Sequence, residues 1–156
     1  MLPTAVPKPN RAHSELQRDA KHYLEREAPK KYIVLMEVNA DQLRRNPSAQ
    51  RFDLWALRWM DPVLIIIGEI KVSRPDFQSD VRSGKWRDGL ENCHLFYFIV
   101  PYGLITKDEL PEGTGLMEQR KNGKGFKITH GIRNEGFSPS EGMLLSIIKK
   151  QAKYGG

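Results

Sequence analysis

The sequence predicts an α/β fold, a mixed β-sheet with helices packed on it. Three observations predict it. Val63–Ile67 is an apolar run filled at both parities, the pattern of a strand covered on both faces. Helical periodicity marks residues 14–27 and 141–153, near the two ends of the chain. Asn122-Gly123 lies between two short runs and signals a type I′ hairpin. Read in order, the elements are α-β-β-β-α-β, then a C-terminal hairpin and helix.

Residues 1–12 are expected to form a tail, since Met1–Asn10 holds three prolines and no apolar stretch. The same composition is unlike a secretory leader. The first helix is predicted over Ser14–Glu27, with Ser14 as cap and Gln17 as its capping-box partner. Leu16, Ala20, Tyr23 and Leu24 share one stripe, and Pro29 ends the helix. Tyr32–Val38 is rich in β-branched residues and reads as a strand, and Asn39–Gln50 as a polar loop. Phe52–Trp59 is a second strand, turned by Asp61-Pro62 into Val63–Val72. Ser73 opens a helical region to about Asn92, with Pro75 in its first turn and a break expected near Gly84. Leu95–Val100 is a buried strand closed by Pro101. Leu116–Lys121 and Lys124–Ile128 form the hairpin, and Glu141–Lys153 the last helix, with Leu144, Leu145, Ile147 and Ile148 as its apolar side.

The 156 residues suffice for one domain, expected over 13–154, that buries roughly two thirds of its unfolded surface. The single cysteine, Cys93, excludes an internal disulfide framework and a Cys-rich zinc site. It points with the missing leader to a reducing cytoplasm. No apolar run is long enough for a membrane span. The net charge is +6, and residues 1–31 and 101–156 each carry an excess of three basic side chains. Such an excess suits a polyanion, or serves solubility alone.

Asp53, Glu69 and Lys71 carry the chemistry. Glu69 and Lys71 are two apart on a strand and share a face. A hairpin centred on Asp61 pairs Leu57 with Ile65, Trp55 with Ile67 and Asp53 with Glu69. Opposed carboxylates repel unless a positive charge lies between them. Lys71 offers one charge, and a divalent ion with oxygen ligands offers more. Glu37 ends the first strand at the same sheet end and is a candidate third ligand. This set suits metal-dependent phosphodiester hydrolysis, with Lys71 orienting water or offsetting charge. The alternative is a Glu–Lys pair decorating a sheet end with a solvated Asp beside it.

Arg51-Phe52-Asp53, Glu69-Ile70-Lys71-Val72-Ser73-Arg74, Asp76-Phe77, Asp80 and Lys85-Trp86 together resemble the MmcB-type DNA-repair family of the PD-(D/E)xK nuclease superfamily. The likeness continues through Cys93–Phe98 with Pro101, and through Leu110-Pro111-Glu112 with Thr114-Gly115-Leu116. It implies a restriction-endonuclease-like core and a divalent-metal nuclease site. In it Asp53, Glu69 and Lys71 match the acid, acid and lysine of the motif, and Glu37 matches a preceding acid. Two departures stand out: a longer spacer between Asp80 and Lys85, and Gly89 where the family's compact form often has Tyr.

For DNA contact the candidates are Arg44, Arg45 and Arg51 around the loop, with Ser73 and Lys85. Ser73 reads also as a helix cap, Asp80 as a surface acid, Trp86 as a packing anchor and Glu15 as a favourable helix-terminus charge. The histidines His13, His22, His94 and His130 lack metal-ligand spacing, and Phe96-Tyr97-Phe98 reads as core. The expectation is therefore a Mg²⁺- or Mn²⁺-dependent DNA endonuclease or nickase of repair type, acting on duplex DNA, with a homodimer needed for paired cuts. Its rivals are a nuclease-like module that binds DNA or a repair partner without cutting, and a cytoplasmic interaction protein.

Overall fold

The computed structural model describes residues 11–39 and 51–154. Helix α1 (Arg11–His22) continues as a π-helical turn over Tyr23–Glu27 and ends at Ala28, extended ahead of Pro29. Arg11 and Ala12, expected in the tail, belong to α1. Ser14 is consequently inside the helix rather than at its cap, and Gln17 bonds to the sheet instead.

The strands are β1 (Tyr32–Asn39), β2 (Arg51–Arg58), β3 (Leu64–Ile70), β4 (Leu95–Val100), β5 (Gly115–Gln119) and β6 (Phe126–Thr129). Among the described residues they form one six-stranded sheet in the order β1-β2-β3-β4-β5-β6. The first three strands are a meander of antiparallel neighbours. Helices α2 (Arg74–Ser83) and α3 (Trp86–Glu91) lie between β3 and β4, which pair in parallel. β5 is parallel to β4, and β6 returns antiparallel. Helix α4 (Glu141–Tyr154) closes the chain. The α/β class and mixed sheet thus agree with the sequence.

Side-chain alternation divides the core between two sheet faces. Trp55, Ile65, Ile67, Phe96 and Phe98 pack under Phe77 of α2, Trp86 of α3, and Met143 and Ile147 of α4. Leu54, Ala56, Ile66, Tyr97 and Ile99 pack under Leu16, Ala20 and Leu24. β3 and β4 are buried along their whole lengths, which their continuous apolar runs require. Each fully buried Leu, Ile or Phe contributes roughly 1.5–3 kcal/mol against exposure.

Two helix boundaries follow from local chemistry. Ser73 Oγ accepts from the Asp76 N–H at 3.3 Å, capping α2 with Pro75 in its first turn. Gly84, at φ +75°, ends α2 in the left-handed conformation that glycine adopts without Cβ strain. Elsewhere the structure corrects the reading. The hairpin strands stop at Gln119 and resume at Phe126, so residues 120–125 form a wider loop than a two-residue turn. In α4, Met143 and Ile147 are buried while Leu145 and Ile148 are exposed. The spacing of four, not the run of apolar letters, selects the inward stripe.

Candidate active site

The β2–β3 register pairs Leu57 with Ile65, Trp55 with Ile67 and Leu54 with Gly68, as the turn at Asp61 requires. Pairing stops there, one residue short of Asp53 and Glu69. The cause lies in Asp53 itself. Its Oδ2 accepts the Ile70 N–H at 2.8 Å. That N–H faces β2, because the neighbouring Lys71 N–H donates to Ile99 O on the β4 side. A side-chain carboxylate thus takes the place of a ladder carbonyl, and the two strands part at the sheet end.

The β1–β2 ladder is interrupted at the same level. Met36 pairs with Leu54 and Val38 with Phe52, but Glu37 and Asp53 between them do not pair. Glu37 has φ +59°, a left-handed conformation that costs of order 1–3 kcal/mol in a residue with a side chain. Beyond it the alternation shifts phase, so Leu35 and Val38 reach the same core, as do Phe52 and Trp55. Three contacts hold the distortion. Gln17 Nε2 donates to Glu37 Oε1 at 3.0 Å, Arg51 Nη2 lies 2.6 Å from Oε2, and Lys150 Nζ donates to the Glu37 carbonyl at 2.8 Å.

Glu69 follows Ile65 and Ile67 in parity and faces α2. Burial pushes its carboxyl well above the ordinary carboxylate range. The Asp53 carboxylate, near enough to share a hydrogen bond, raises it further, and Asp80 adds to this while Lys71 opposes it. Glu69 Oε1 is buried with no hydrogen-bond partner. Lys71 Nζ pairs with Asp80 Oδ2 at 3.0 Å, and the other oxygen, Asp80 Oδ1, is also buried and unpartnered. From the opposite side α1 supplies His13, whose Nε2 is 3.3 Å from Asp53 Oδ2. The hydrogen bond to Asp53 raises the His13 pKa, burial lowers it, and the charges of Asp53 and Glu37 add to the rise. Gln17 Nε2 also donates to the Asp53 carbonyl at 2.6 Å, pinning the strand where it diverges.

Asp53, Glu69 and Lys71 are therefore brought together, as their spacing predicts. Glu37 lies opposite Asp53 in register, yet its carboxylate is taken by Gln17 and Arg51. No group of three or more His, Cys, Asp or Glu among the described residues is arranged to hold a metal ion, so the expected three-acid set is not assembled. Arg51 reaches this sheet end but spends its guanidinium on Glu37. Ser73 caps α2, and exposed Lys85 precedes α3. Arg44 and Arg45 lie outside the described residues.

Sequence reasoning missed His13 and Gln17. One signal was present: Gln17 stands three residues before Ala20 and seven before Leu24, a polar residue on the apolar stripe, and the structure buries it. The bland readings hold at Trp86, Cys93 and Phe96-Tyr97-Phe98, all buried. Burial pushes the Cys93 thiol up to about 12, which leaves it no thiolate for nucleophilic work near neutral pH.

A divalent cation is compatible with this donor set. Hard oxygen ligands from Asp53 and Glu69 converge, and the unpartnered buried oxygen of Glu69 is the kind of group that an ion satisfies. Among the described residues no helix is long and apolar enough to cross a membrane. No protein-family model and no curated protein matches the chain. Among solved structures it is similar to the SPO1766 protein of unknown function from Silicibacter pomeroyi, at 20% identity and a TM-score of 0.63. The match covers 90% of this chain and 83% of that one, and shows a common fold.

Proposed function

We propose that the chain is a metal-dependent deoxyribonuclease of the PD-(D/E)xK type, an endonuclease or nickase serving DNA repair, as its resemblance to the MmcB-type family implies. One observation carries the reading: Glu69, buried with an unpartnered oxygen, meets Asp53 where β2 and β3 part. Asp53 and Glu69 would hold Mg²⁺ or Mn²⁺. When bound, such an ion polarises a phosphoryl oxygen and makes water a stronger acid.

The chain's own groups do the rest. Asp80 holds the Lys71 ammonium beside Glu69, where it orients water and offsets charge developing on the phosphate. His13 steadies Asp53 from α1. Arg51, at the mouth of the same sheet end, is placed to meet a backbone phosphate once it leaves Glu37. Coordinated cuts in both strands of a duplex would need two copies of the site.

A second reading is favoured by a specific observation. Lys71 and Glu37 are already engaged by Asp80, Arg51 and Gln17, as in a site kept for structure. The protein would then bind DNA or a repair partner without cutting. Supercoiled plasmid with purified protein and Mn²⁺ separates the two. We expect nicked circles, lost with EDTA and lost in Glu69→Ala and Asp53→Asn proteins that keep the native circular dichroism spectrum. Full nicking by either variant would remove the assignment. Salt-sensitive binding without nicking supports the second reading.

A further inference from the structure

We propose that the sheet face opposite Glu69 and Lys71 carries a binding site for a small amphipathic anion, an apolar or aromatic body with one carboxylate head. A cavity of about 370 Å³ lies there, between the π-helical turn and the sheet. That volume is within the range of small-molecule sites, about 300–1,000 Å³.

Its origin is geometric. Six strands about 4.8 Å apart span roughly 24 Å, and a helix about 10 Å across covers less than half of that width. The other face is covered by α2, α3 and α4, whereas this face has α1 and its π-helical extension. α1 packs on β1 to β4. Beside it Ile66, Ile99 and Met117, all buried, give the cavity an apolar lining together with Tyr23 and Tyr32.

The polar lining sets the ligand's charge. Lys30 and Arg58 are the charged residues of the lining, and no Asp or Glu joins them. They lie at one end of the cavity, because Tyr32, two residues after Lys30, pairs with Arg58 across β1 and β2. Arg58 Nη2 reaches the Asp61 carbonyl at 3.4 Å, and the guanidinium also lies beside the Tyr32 hydroxyl. Its Nε, however, is buried with no hydrogen-bond partner. A buried donor left unmade destabilises the fold until an acceptor arrives. A carboxylate head is neutralised by Arg58 and Lys30 together, and accepts from Nε once the guanidinium turns out of its buried position. Its apolar body then lies along the apolar lining. At the lining, Tyr97 Oη and His130 Nδ1 satisfy each other at 2.5 Å, so this second polar pair makes no demand on the ligand.

Titrating the full chain with octanoate and with 1-octanol, by calorimetry and amide NMR, tests the site. Octanoate should bind once, about tenfold or more tighter than octanol, with shifts confined to the cavity lining. Arg58→Met should weaken octanoate about tenfold and leave octanol within about twofold. Equal affinity for the two probes, shifts elsewhere on the sheet, or an Arg58→Met protein with unchanged octanoate binding would each overturn the proposal. If Arg58→Met fails to fold, Lys30→Met, at an exposed position, supplies the same comparison.

Discussion

Glu69 illustrates how a buried acid works against the fold that positions it. Folding raises its pKa above the ordinary value of 4.5, mainly through burial and then through Asp53. The folded state therefore keeps a proton that the unfolded chain gives up. Stability is full below the unfolded value and falls as pH rises through the folded one. In EDTA at pH 8, Glu69→Gln should unfold at higher urea than the native protein, by about 1–3 kcal/mol. The gap should close below about pH 4, where Glu69 is mostly protonated in the folded and unfolded states alike. Urea titrations at the two pH values measure this, and an equal gap at both would mean that charge burial is not the cause. Residue types and spacing made Asp53, Glu69 and Lys71 legible in the sequence. His13 and Gln17 were not, because their roles depend on where α1 docks, and no local pattern encodes a contact between Gln17 and the Asp53 carbonyl.

At the scale of elements, strands were legible because β-branched and aromatic runs bounded by turn residues have few other solutions. The β2–β3 register followed from the position of a single turn. Helix faces were less legible. Leu145 and Ile148 are apolar but exposed, since a helix 100° per residue turns them away from Met143 and Ile147. Helix α3 shows why residue 89 is a glycine. A Cβ on Gly89 would lie 2.6 Å from Phe96 Cε2 and 3.4 Å from Phe52 Cε1. A larger side chain there has no room unless the Phe96 ring shifts. Gly89→Ala should accordingly destabilise the protein by about 1–3 kcal/mol despite alanine's better helix propensity. Equilibrium urea unfolding decides it, and a stabilised variant would show that the helix yields instead of the ring.

Across the whole molecule, the two core layers share β2, β3, β4 and β5, so neither can be lost without exposing the other side of the same strands. We expect one cooperative transition. Far-UV circular dichroism and the fluorescence of buried Trp55 and Trp86 should give the same urea midpoint, and separated midpoints would divide the chain into independent units. The sheet's order was beyond the sequence: nothing local specifies that β5 joins β4 in parallel. The left-handed backbone at Glu37 has a further effect, at the sheet's outer border. Among the described residues β1 and β6 are the terminal strands, and a long flat terminal strand recruits other chains into aggregates. β6 is only four residues long. β1 is eight, but its run is broken at Glu37 and the carbonyl there is occupied by Lys150. The bend that shapes the acidic end thus also blunts the longer of the two borders that the described residues form.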